Sequence, residues 1–511
     1  MRKSGYFALA IVFATSLSFS QNDMDALRYS QTGVGGNARF ISMGGAFGAL
    51  GANTSCLSYN PAGIGIYRKG ELNITPGVNF NSVKGSHNGN DTRAFTPALV
   101  FNGLGIAGSW DSKQNDDVRH SFGLALNQLQ NFSSDLTVEG RANGKSIMKD
   151  ILANADNYSI PALDPSYAGM AYSTYLLDYD STNMRYYGFI DPEKDMLQSK
   201  QISRSGKMNE FAIGYTYGFK DKLYLGASLG IPSITYNHSS AYYEEDDKDS
   251  LRIWRDASNN IQDTYSYPVN YYNTSDGNRL LGGFKNMTYE EAYKTTGRGY
   301  NLKLGVIYRV NDFLRIGANY QTPTVLNLTD VYSYSMTTVF DSGESIPASY
   351  PENGGIYKYK IITPMRYGAS IGFIYKKLLA IGIDYEGVNY SQASITSSEP
   401  TQFSGVNKVI STKYSMASNL RAGAEVNIQN IFIRAGYAMY GSPFGNSFTG
   451  KFTRTSYSGG IGFRNRNWAF DMGIVNTQSA EDYYMYNSKY VDRSSLAISG
   501  TNFVFTVGCK F

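Results

Sequence analysis

The sequence has little of the chemistry on which enzymes and metalloproteins depend. Only three of its 511 residues are His and two are Cys, and His87, His120 and His238 are too widely spaced for a metal site. It has no Gly-x-Ser-x-Gly nucleophile motif. Residues 103–108 match the dinucleotide fingerprint, but a polar stretch follows where that motif requires a helix. We therefore expect no cofactor, no metal and no catalytic site.

Charge and long apolar runs are scarce as well. Charged residues make up 17% of the chain and the net charge is +4, which is too small for this length to indicate a nucleic-acid partner. Beyond the N-terminus no run of about eighteen apolar residues occurs, and this excludes a transmembrane helix. Only a closed β-barrel could then place the chain in a membrane.

The N-terminus predicts export from the cytoplasm. Basic residues at 2 and 3, an apolar run over 6–13 and small residues at 18–20 are typical of a signal peptide cleaved after Ser20. The apolar run is too short to span a membrane. No Cys lies at the predicted cleavage site, so a lipid anchor is not expected.

From residue 71 onward apolar residues recur at every second position, as at Phe211, Ile213 and Tyr215. This alternation predicts strands with one apolar and one polar face. Tight turns alternate with long polar stretches, the longest at 133–207, 237–298 and 335–357. That pattern is typical of outer-membrane barrels, whereas a β-sandwich gives no reason for it.

We predict an all-β fold, a transmembrane antiparallel barrel of about fourteen strands, since single-chain barrels have an even number. The strands are expected near 71–83, 93–110, 119–131, 208–219, 223–236, 299–310, 313–328, 358–376, 379–396, 413–428, 431–440, 453–465, 468–477 and 500–511. Short helices are expected near 144–155 and 288–295. The acidic run at 244–247 could bind calcium, but it more often marks a solvated loop.

Residues 28–67 are rich in glycine and also apolar. Glycine suits tight turns and close backbone approach, and the apolar side chains argue against a free linker. The stretch is either a compact cap on a core or a plug inside a hollow barrel. We therefore divide the chain into a signal peptide (1–20), a plug (residues 21–70) and a barrel with long extracellular loops (71–511). The candidate plug residues are Gly35, Gly36, Arg39, Gly44, Gly45, Asn60, Pro61, Ala62 and Gly63.

The ordered motifs of this stretch are recognisable. A Gln-Thr-Gly-Val-Gly-Gly sequence begins at Gln31, Met-Gly-Gly-Ala begins at Met43, Asn-Thr-Ser begins at Asn53 and Asn-Pro-Ala-Gly begins at Asn60. Together they resemble the N-terminal hatch of the FadL/TodX family of outer-membrane channels for fatty acids and aromatic hydrocarbons. The resemblance implies a fourteen-stranded barrel whose hatch moves to release ligand. Asn60, Pro61 and Ala62 would form the turn on which it pivots.

Several charges fall on the polar parity of the strands and should face the lumen. Buried charges need a partner or water. They therefore line a water-filled pore, or they form salt bridges that hold the plug, to which Arg28 and Arg39 would contribute. The candidates are Arg315, Arg366, Asp384, Glu386, Arg434 and Asp471, with Lys303, Arg309 and Arg464.

The alternation of the third strand breaks at Asn127 and Gln128, where a bulge would bend the strand or the strand would end early. FadL-type channels have an inward kink in their third strand that opens the wall sideways, so the resemblance implies a kink at these two residues.

The last strand places aromatic and apolar residues on one face and ends in Phe511. This resembles the terminal signal that the barrel assembly machinery reads. Cys509 lies on the lipid-facing parity, whereas Cys56 belongs to the plug, so both are expected to be free thiols.

The function that we predict is passive uptake of hydrophobic small molecules, with a hydrophobic ligand and outer-membrane lipid as partners and a monomer as the expected state. The alternatives are a general porin, a haem receptor, an outer-membrane hydrolase and an adhesin that uses its loops. The lack of His clusters argues against haem. A TonB-coupled receptor is disfavoured because the chain after the plug is too short for roughly twenty-two strands.

Overall fold

The computed structural model describes residues 22–181, 184–188, 190, 194–248, 253–255, 261–263, 283–399, 401–445 and 452–511. The predicted signal peptide lies outside these residues. Among the described residues, no helix is long and apolar enough to cross a membrane.

The helices are short and the strands are long. The helices are α1 (Asp23–Ser30), α2 (Ala38–Ser42), α3 (Met148–Ala155), α4 (Ala168–Ser173) and α5 (Ser404–Lys413), with 3₁₀ turns at Thr54–Ser58, Pro61–Ile66, Ile160–Ala162 and Tyr390–Gln392. The strands are β1 (Glu71–His87), β2 (Asn90–Asp111), β3 (Val118–Asn131), β4 (Ser134–Arg141), β5 (Leu177–Asp180), β6 (Arg185–Gly188), β7 (Leu197–Phe219), β8 (Leu223–Glu245), β9 (Ile253–Arg255), β10 (Ile261–Asp263), β11 (Phe284–Arg309), β12 (Leu314–Gln321), β13 (Val325–Phe340), β14 (Ser345–Ile362), β15 (Arg366–Tyr375), β16 (Leu379–Asn389), β17 (Ser394–Thr396), β18 (Met416–Ile428), β19 (Ile431–Tyr440), β20 (Phe452–Arg464), β21 (Trp468–Tyr483) and β22 (Ser494–Lys510).

The strands form a closed antiparallel barrel. Each barrel strand pairs with the next along the chain, and β22 pairs with β1 to complete the circle. Four barrel strands are interrupted, so that β3 with β4, β12 with β13, β14 with β15 and β16 with β17 each follow one path round the wall. The prediction of a 14-stranded antiparallel barrel is confirmed.

Two of the interruptions lie at prolines. Pro323 separates β12 from β13 and Pro364 separates β14 from β15. Proline has no N–H to donate to a neighbouring strand. The flanking threonines partly replace the missing pairing, because Thr324 N donates to Thr363 Oγ1 at 3.1 Å and Thr363 N donates to Thr324 O at 3.0 Å.

A belt of exposed apolar side chains surrounds the lower part of the barrel. Leu302, Leu304 and Tyr308 on β11 lie beside Leu225 and Leu229 on β8, and all are at least two-fifths exposed. Most of their inward neighbours are small or polar, although Ile307 of β11 and Tyr224 of β8 pack against the plug. The outward apolar alternation on which the fold prediction was based is therefore present in the structure.

The predicted loop boundaries at the upper rim are wrong in places. Residues 237–245 and 284–298 continue β8 and β11, and 335–357 forms most of the hairpin of β13 and β14. The helix predicted at 288–295 is likewise strand, whereas α3 lies within the one predicted at 144–155. Above the apolar belt both faces of a strand carry polar side chains, so the alternation that marks a strand is lost although the pairing continues.

The described part of residues 142–196, which we call the cap, closes the upper end of the lumen. Met148 and Ile151 of α3 are fully buried in one apolar cluster with Met287, Met336 and Phe340 of the barrel wall. The acidic run at 244–247 binds residues next to and within the cap. Glu244 Oε2 accepts from Ile147 N at 3.1 Å and Asp247 pairs with Arg141.

Candidate functional site

The plug lies inside the barrel and fills its lower half. Phe40, Met43, Phe47 and Leu57 of the plug are almost completely buried. The plug contacts strands from most of the circumference, among them β3, β7, β8, β11 and β21. Of the two sequence interpretations of this stretch, the geometry is that of a plug in a hollow barrel.

A ring of glycines on the inner face of the wall receives the plug. At each of them an added Cβ would lie less than 3.0 Å from a plug atom, so backbone or side-chain atoms of the plug touch the wall where wall side chains are missing. We call this set the glycine girdle: Gly105, Gly214, Gly226, Gly305, Gly317, Gly382, Gly423, Gly436, Gly460 and Gly473.

The candidate glycines of the plug have related roles. Gly44 and Gly45, directly after α2, have φ of 62° and 78°, values that L side chains rarely adopt. Gly36 also has a positive φ. An added Cβ at Gly35 would collide with the carbonyl group of Gln128.

The turn that begins at Asn60 is fastened on both sides. Asn60 Nδ2 donates to Gly48 O at 2.7 Å within the plug and to Val306 O of β11 at 3.3 Å. Its Oδ1 accepts from Ala62 N, and Pro61 O accepts from Thr216 Oγ1 of β7 at 2.8 Å. The predicted turn residues therefore link the plug to two separate strands.

A chain of alternating charges connects the plug to the wall. Arg39 makes a two-pronged contact with Glu425 of β18, at 2.9 and 2.8 Å. Glu425 also binds Arg434 at 2.6 Å, and Arg434 lies 2.7 Å from Asp471, which in turn pairs with Arg464. All of these side chains are mostly buried, so each charge depends on its neighbours rather than on water.

A second cluster lies on the adjoining strands. Glu386 Oε1 accepts from Arg366 at 3.3 Å and from Arg421 at 3.1 Å. Arg366 also donates to the carbonyl of Ser30 in the plug. The Arg421 guanidinium lies 5.5 Å from the centre of the Tyr59 ring, a distance at which cation–π attraction is appreciable.

The remaining two lumen candidates contact the plug backbone. Asp384 Oδ2 accepts from Gly48 N at 2.9 Å, and Arg315 Nη1 donates to Leu50 O at 2.9 Å. Arg315, Arg366 and Asp384 thus bind the plug, and Glu386 and Arg434 bind a partner of the plug, whereas Asp471 and Arg464 are one step further along the chain of charges. Lys303 and Arg309 instead pair with Glu210 and Asp312, which lie outside the plug. Glu425 and Arg421 were missed, although both follow the same inward parity.

Above the girdle, α1 occupies an apolar chamber. Leu27 and Tyr29 pack in one cluster with Phe132, Ile234 and Leu326 of the wall. Lys413 and Tyr414, at the end of α5, hold Asp23 at 2.7 and 2.6 Å. The helix itself therefore fills the room in which an apolar ligand could lie.

A cavity of about 40 Å³ lies between plug and wall, and its lining includes Tyr59, Glu210, Asn301 and Arg366. It has room for about three or four waters at about 10–15 Å³ each, so it is too small for an aromatic ring or an acyl chain.

The wall has a gap between β2 and β3. Their pairing runs from Asp111 with Arg119 to Gly103 with Asn127 and then stops. Higher up, Thr96 Oγ1 donates to Asp135 Oδ2 of β4 at 2.8 Å. Between these contacts β2 pairs only with β1, and the seven residue steps from Thr96 to Gly103, at about 3.3 Å each, make the gap about 23 Å long.

The gap begins at the predicted kink. The pairing of β3 with β7 shifts register between Gln128 and Gln130, so Leu129 is the extra residue of a β-bulge. Leu129 O accepts from Gly33 N of the plug at 2.8 Å. The half-buried plug segment 31–34 thus lies directly behind the bulge. The parity of the sequence indicated the neighbouring pair Asn127 and Gln128.

Other chemistry is limited. Cys56 and Cys509 are both free, as predicted. Within the described ranges, no three His, Cys, Asp or Glu side chains are grouped closely enough to hold a metal ion. Gly105, from the dinucleotide-like sequence, belongs to the glycine girdle.

These features define a plugged β-barrel with a side opening, and solved structures of that architecture exist. No family profile matches the sequence, and no curated protein matches it. The Pseudomonas putida toluene transporter TodX is 14% identical, with a TM-score of 0.51 over 94% of this chain and 99% of that one. A Pseudomonas aeruginosa FadL homologue (12% identity, 94% and 98% coverage) and the CymD monoaromatic hydrocarbon channel (14%, 94% and 98%) each have a TM-score of 0.49. The chain therefore has the fold of TodX.

Proposed function

We propose that this chain is an outer-membrane channel of the FadL/TodX kind, which takes up hydrophobic small molecules passively and releases them through its wall. The observation that carries the proposal is the gap between β2 and β3, which begins at the Leu129 bulge. A side opening towards lipid would not help a polar solute to cross. A hydrophobic solute can pass through such an opening, because it partitions from the lumen directly into hydrocarbon.

The arrangement of the lumen supports the same reading. The cap packs in the upper end of the barrel and the plug fills the lower half. A general porin needs a continuous aqueous path along the barrel. A solved structure with the same fold is a toluene transporter, and we extend that class of substrate, with long-chain fatty acids, to this chain.

The route that we infer has three parts. The ligand enters between the strands and loops of the upper rim and displaces α1 from the apolar chamber around Leu27 and Tyr29. It then passes the plug segment at Gly33 and leaves beside Leu129.

Export by a signal peptide at 1–20, assembly through Phe511 and a monomeric state belong to this proposal. So does the pivot at Asn60, Pro61 and Ala62. A normal uptake rate in an Asn60→Ala, Pro61→Ala double variant would contradict the pivot alone.

The gap is tested by deleting Leu129, which would remove the bulge and let β3 pair further with β2. We expect uptake of radiolabelled toluene and of a radiolabelled long-chain fatty acid to fall at least tenfold in cells that produce this variant. Leu129→Ala keeps the number of residues and the bulge, so it should retain uptake. Undiminished uptake by the deletion variant, with the barrel folded, would exclude the side exit.

A further inference from the structure

The ring of Tyr29, on α1, is enclosed by aromatic side chains of the wall. Its centroid lies 6.0 Å from that of Phe132 and 6.2 Å from that of Tyr236, with interplanar angles of 83° and 82°. Phe132 and Tyr236 also meet each other edge to face, at 5.2 Å. Aromatic pairs prefer such separations and angles. The wall therefore contains a site shaped for one aromatic ring, which we call the ring site and which Tyr29 fills.

The far end of the ring site is polar. The Tyr29 hydroxyl lies beside Thr295 of β11, and the charge of Asp330, which pairs with Thr295 across β11 and β13, acts on it. Tyr29 Oη and Thr295 Oγ1 are both buried, but they do not reach hydrogen-bonding geometry, and neither has another partner among the described residues. A buried hydroxyl without a partner costs free energy. The ring site therefore offers a hydrogen bond that the tethered ring of Tyr29 does not make.

The charge that remains at this end after α1 leaves is negative. Arg28 belongs to α1 and would move with it, whereas Asp330 belongs to β13. The Asp330 carboxylate accepts from Tyr359 Oη at 3.2 Å. A carboxylate attracts hydrogen-bond donors and disfavours a second negative charge beside it. The ring site therefore suits a ring with a neutral donor and does not suit a ring with a carboxylate.

The ring site adjoins the side opening. Phe132 lies on the edge of the gap, between Asn127, the last residue of β3 that pairs with β2, and Asp135 of β4. Phe132 and the bulged Leu129 belong to the same apolar cluster around α1. A molecule that leaves the ring site therefore reaches the gap without crossing the salt-bridged part of the plug.

We propose that the ring site binds a neutral monoaromatic compound with one hydroxyl group, whose ring takes the place of Tyr29. The inference rests on the proposed function and narrows its substrates to this class. The free ring lies between Phe132 and Tyr236. Because no helix tethers it, it can shift until its hydroxyl donates to Thr295 Oγ1. This hydrogen bond gives the ligand an advantage over the internal ring, so α1 leaves the chamber when the ligand binds.

The proposal is tested with the full chain in lipid nanodiscs at pH 7 and three ring compounds of similar shape: p-cresol, toluene and 4-methylbenzoate. Hydrogen exchange of the amides of residues 23–30 reports the displacement of α1. We expect p-cresol to halve their protection at a free concentration about fivefold lower than toluene needs, because one hydrogen bond has roughly that effect. 4-Methylbenzoate should leave the protection unchanged. Residues 148–155 of the cap should keep their protection throughout.

The outcomes separate the ring site from uptake itself. Equal action of toluene and p-cresol would overturn the assignment of a hydroxylated ligand. Displacement of α1 by 4-methylbenzoate would overturn the neutral class. Displacement by oleate, but by none of the three ring compounds, would overturn the ring site while leaving passive uptake of hydrophobic molecules in place.

Two threonine variants test the polar end. Thr295→Val keeps the shape of the side chain but removes its hydroxyl, so p-cresol should lose most of its advantage over toluene. Thr338→Val changes an equally buried threonine of β13, whose hydroxyl donates to Thr174 in the cap, and the advantage should remain. An undiminished advantage in the Thr295→Val variant would overturn the proposal.

Tyr29→Ala empties the ring site with α1 in place. p-Cresol should then bind roughly tenfold more tightly in equilibrium dialysis, because it no longer competes with the internal ring, and it should no longer expose the amides of α1. Tyr167→Ala removes a buried aromatic ring of the cap and should not strengthen binding. Gel mobility confirms that each barrel is folded. Equal affinities of the Tyr29→Ala variant and the parent would contradict the replacement of one ring by the other.

Discussion

Glycines on the inner face of the wall and charges beside them determine how the plug is held. At Gly423 an added Cβ would press on the backbone of Met43, and Arg39 crosses from plug to wall to reach Glu425. The charges could be selected from the sequence, because each falls on the polar parity of a strand, between apolar residues that face outward. The girdle could not, because a glycine on the inner parity of a strand is equally consistent with a bend, a bulge or an empty lumen.

We expect Gly423→Leu to destabilise the plugged barrel by about 1–3 kcal/mol, the usual cost of overpacking. The new side chain must displace Met43 or the strand itself. The measurement is the urea concentration at which the folded, heat-modifiable band disappears on gels. Gly108→Leu serves as the control, because its side chain would enter open space. Equal stability of the two variants would mean that the girdle does not bear on the plug.

Replacement of Arg39 by Ala should loosen the plug. In this variant Glu425 keeps its contact with Arg434 but loses both contacts from the plug. We therefore expect the free energy of unfolding to fall by about 1–3 kcal/mol. Arg39→Lys keeps the charge without the two-pronged geometry and should fall between the variant and the parent. Brief openings in planar-bilayer recordings would reveal the effect. Silent recordings and an unchanged unfolding midpoint for Arg39→Ala would contradict it.

At the scale of elements, the β-bulge of β3 and the helix α1 are the parts that distinguish this barrel from a plain pore. The parity break at Asn127 and Gln128 marks where the alternation of β3 stops, but it does not distinguish a bulge from an early strand end, nor does it reveal which residue is extra. The upper ends of β8 and β11 were not foreseen. Above the apolar belt water lies on both sides of the wall, so pairing persists without an apolar period.

The docking of α1 should depend on pH. Burial raises the pKa of Asp25 to about 6, against the opposing pull of Arg28 and with help from Asp330. The docked helix therefore favours the protonated carboxyl. Docking is supported in full below the unfolded pKa of about 3.9 and weakens as the pH rises through about 6.

Hydrogen exchange measures this directly. After correction for intrinsic rates, the amides of residues 23–30 should be less protected at pH 7.5 than at pH 5. Asp25→Asn, which remains neutral and can still cap the helix, should make protection the same at both values. Loss of protection at pH 7.5 in the Asn variant as well would show that another group is responsible.

For the whole molecule, the fourteen-stranded closure and the internal plug followed from the sequence because both leave patterns along the chain. The strands leave a period of two, and the plug leaves an ordered series of glycine motifs. The gap left none. It depends on how neighbouring strands align, and that register is not visible in any single strand.

Ion conductance shows which part of the plug closes the lumen. We expect the complete chain to carry almost no current in a planar bilayer. A variant without residues 22–30 should also remain closed, since the girdle still holds the rest of the plug, whereas one without residues 22–67 should conduct steadily. Gel mobility confirms that each barrel is folded. Steady current through the complete chain would contradict the closed lumen and favour a general porin.

The length of the strands has a consequence for where a solute is first met. β11 has 26 residues, and at about 3.3 Å per residue and a tilt of about 40° it rises about 65 Å. The hydrocarbon core is only about 30 Å thick. The upper rim of the barrel therefore lies tens of ångströms outside the hydrocarbon core. For the uptake channel proposed above, a hydrophobic solute would first meet the protein at this rim, outside the hydrocarbon.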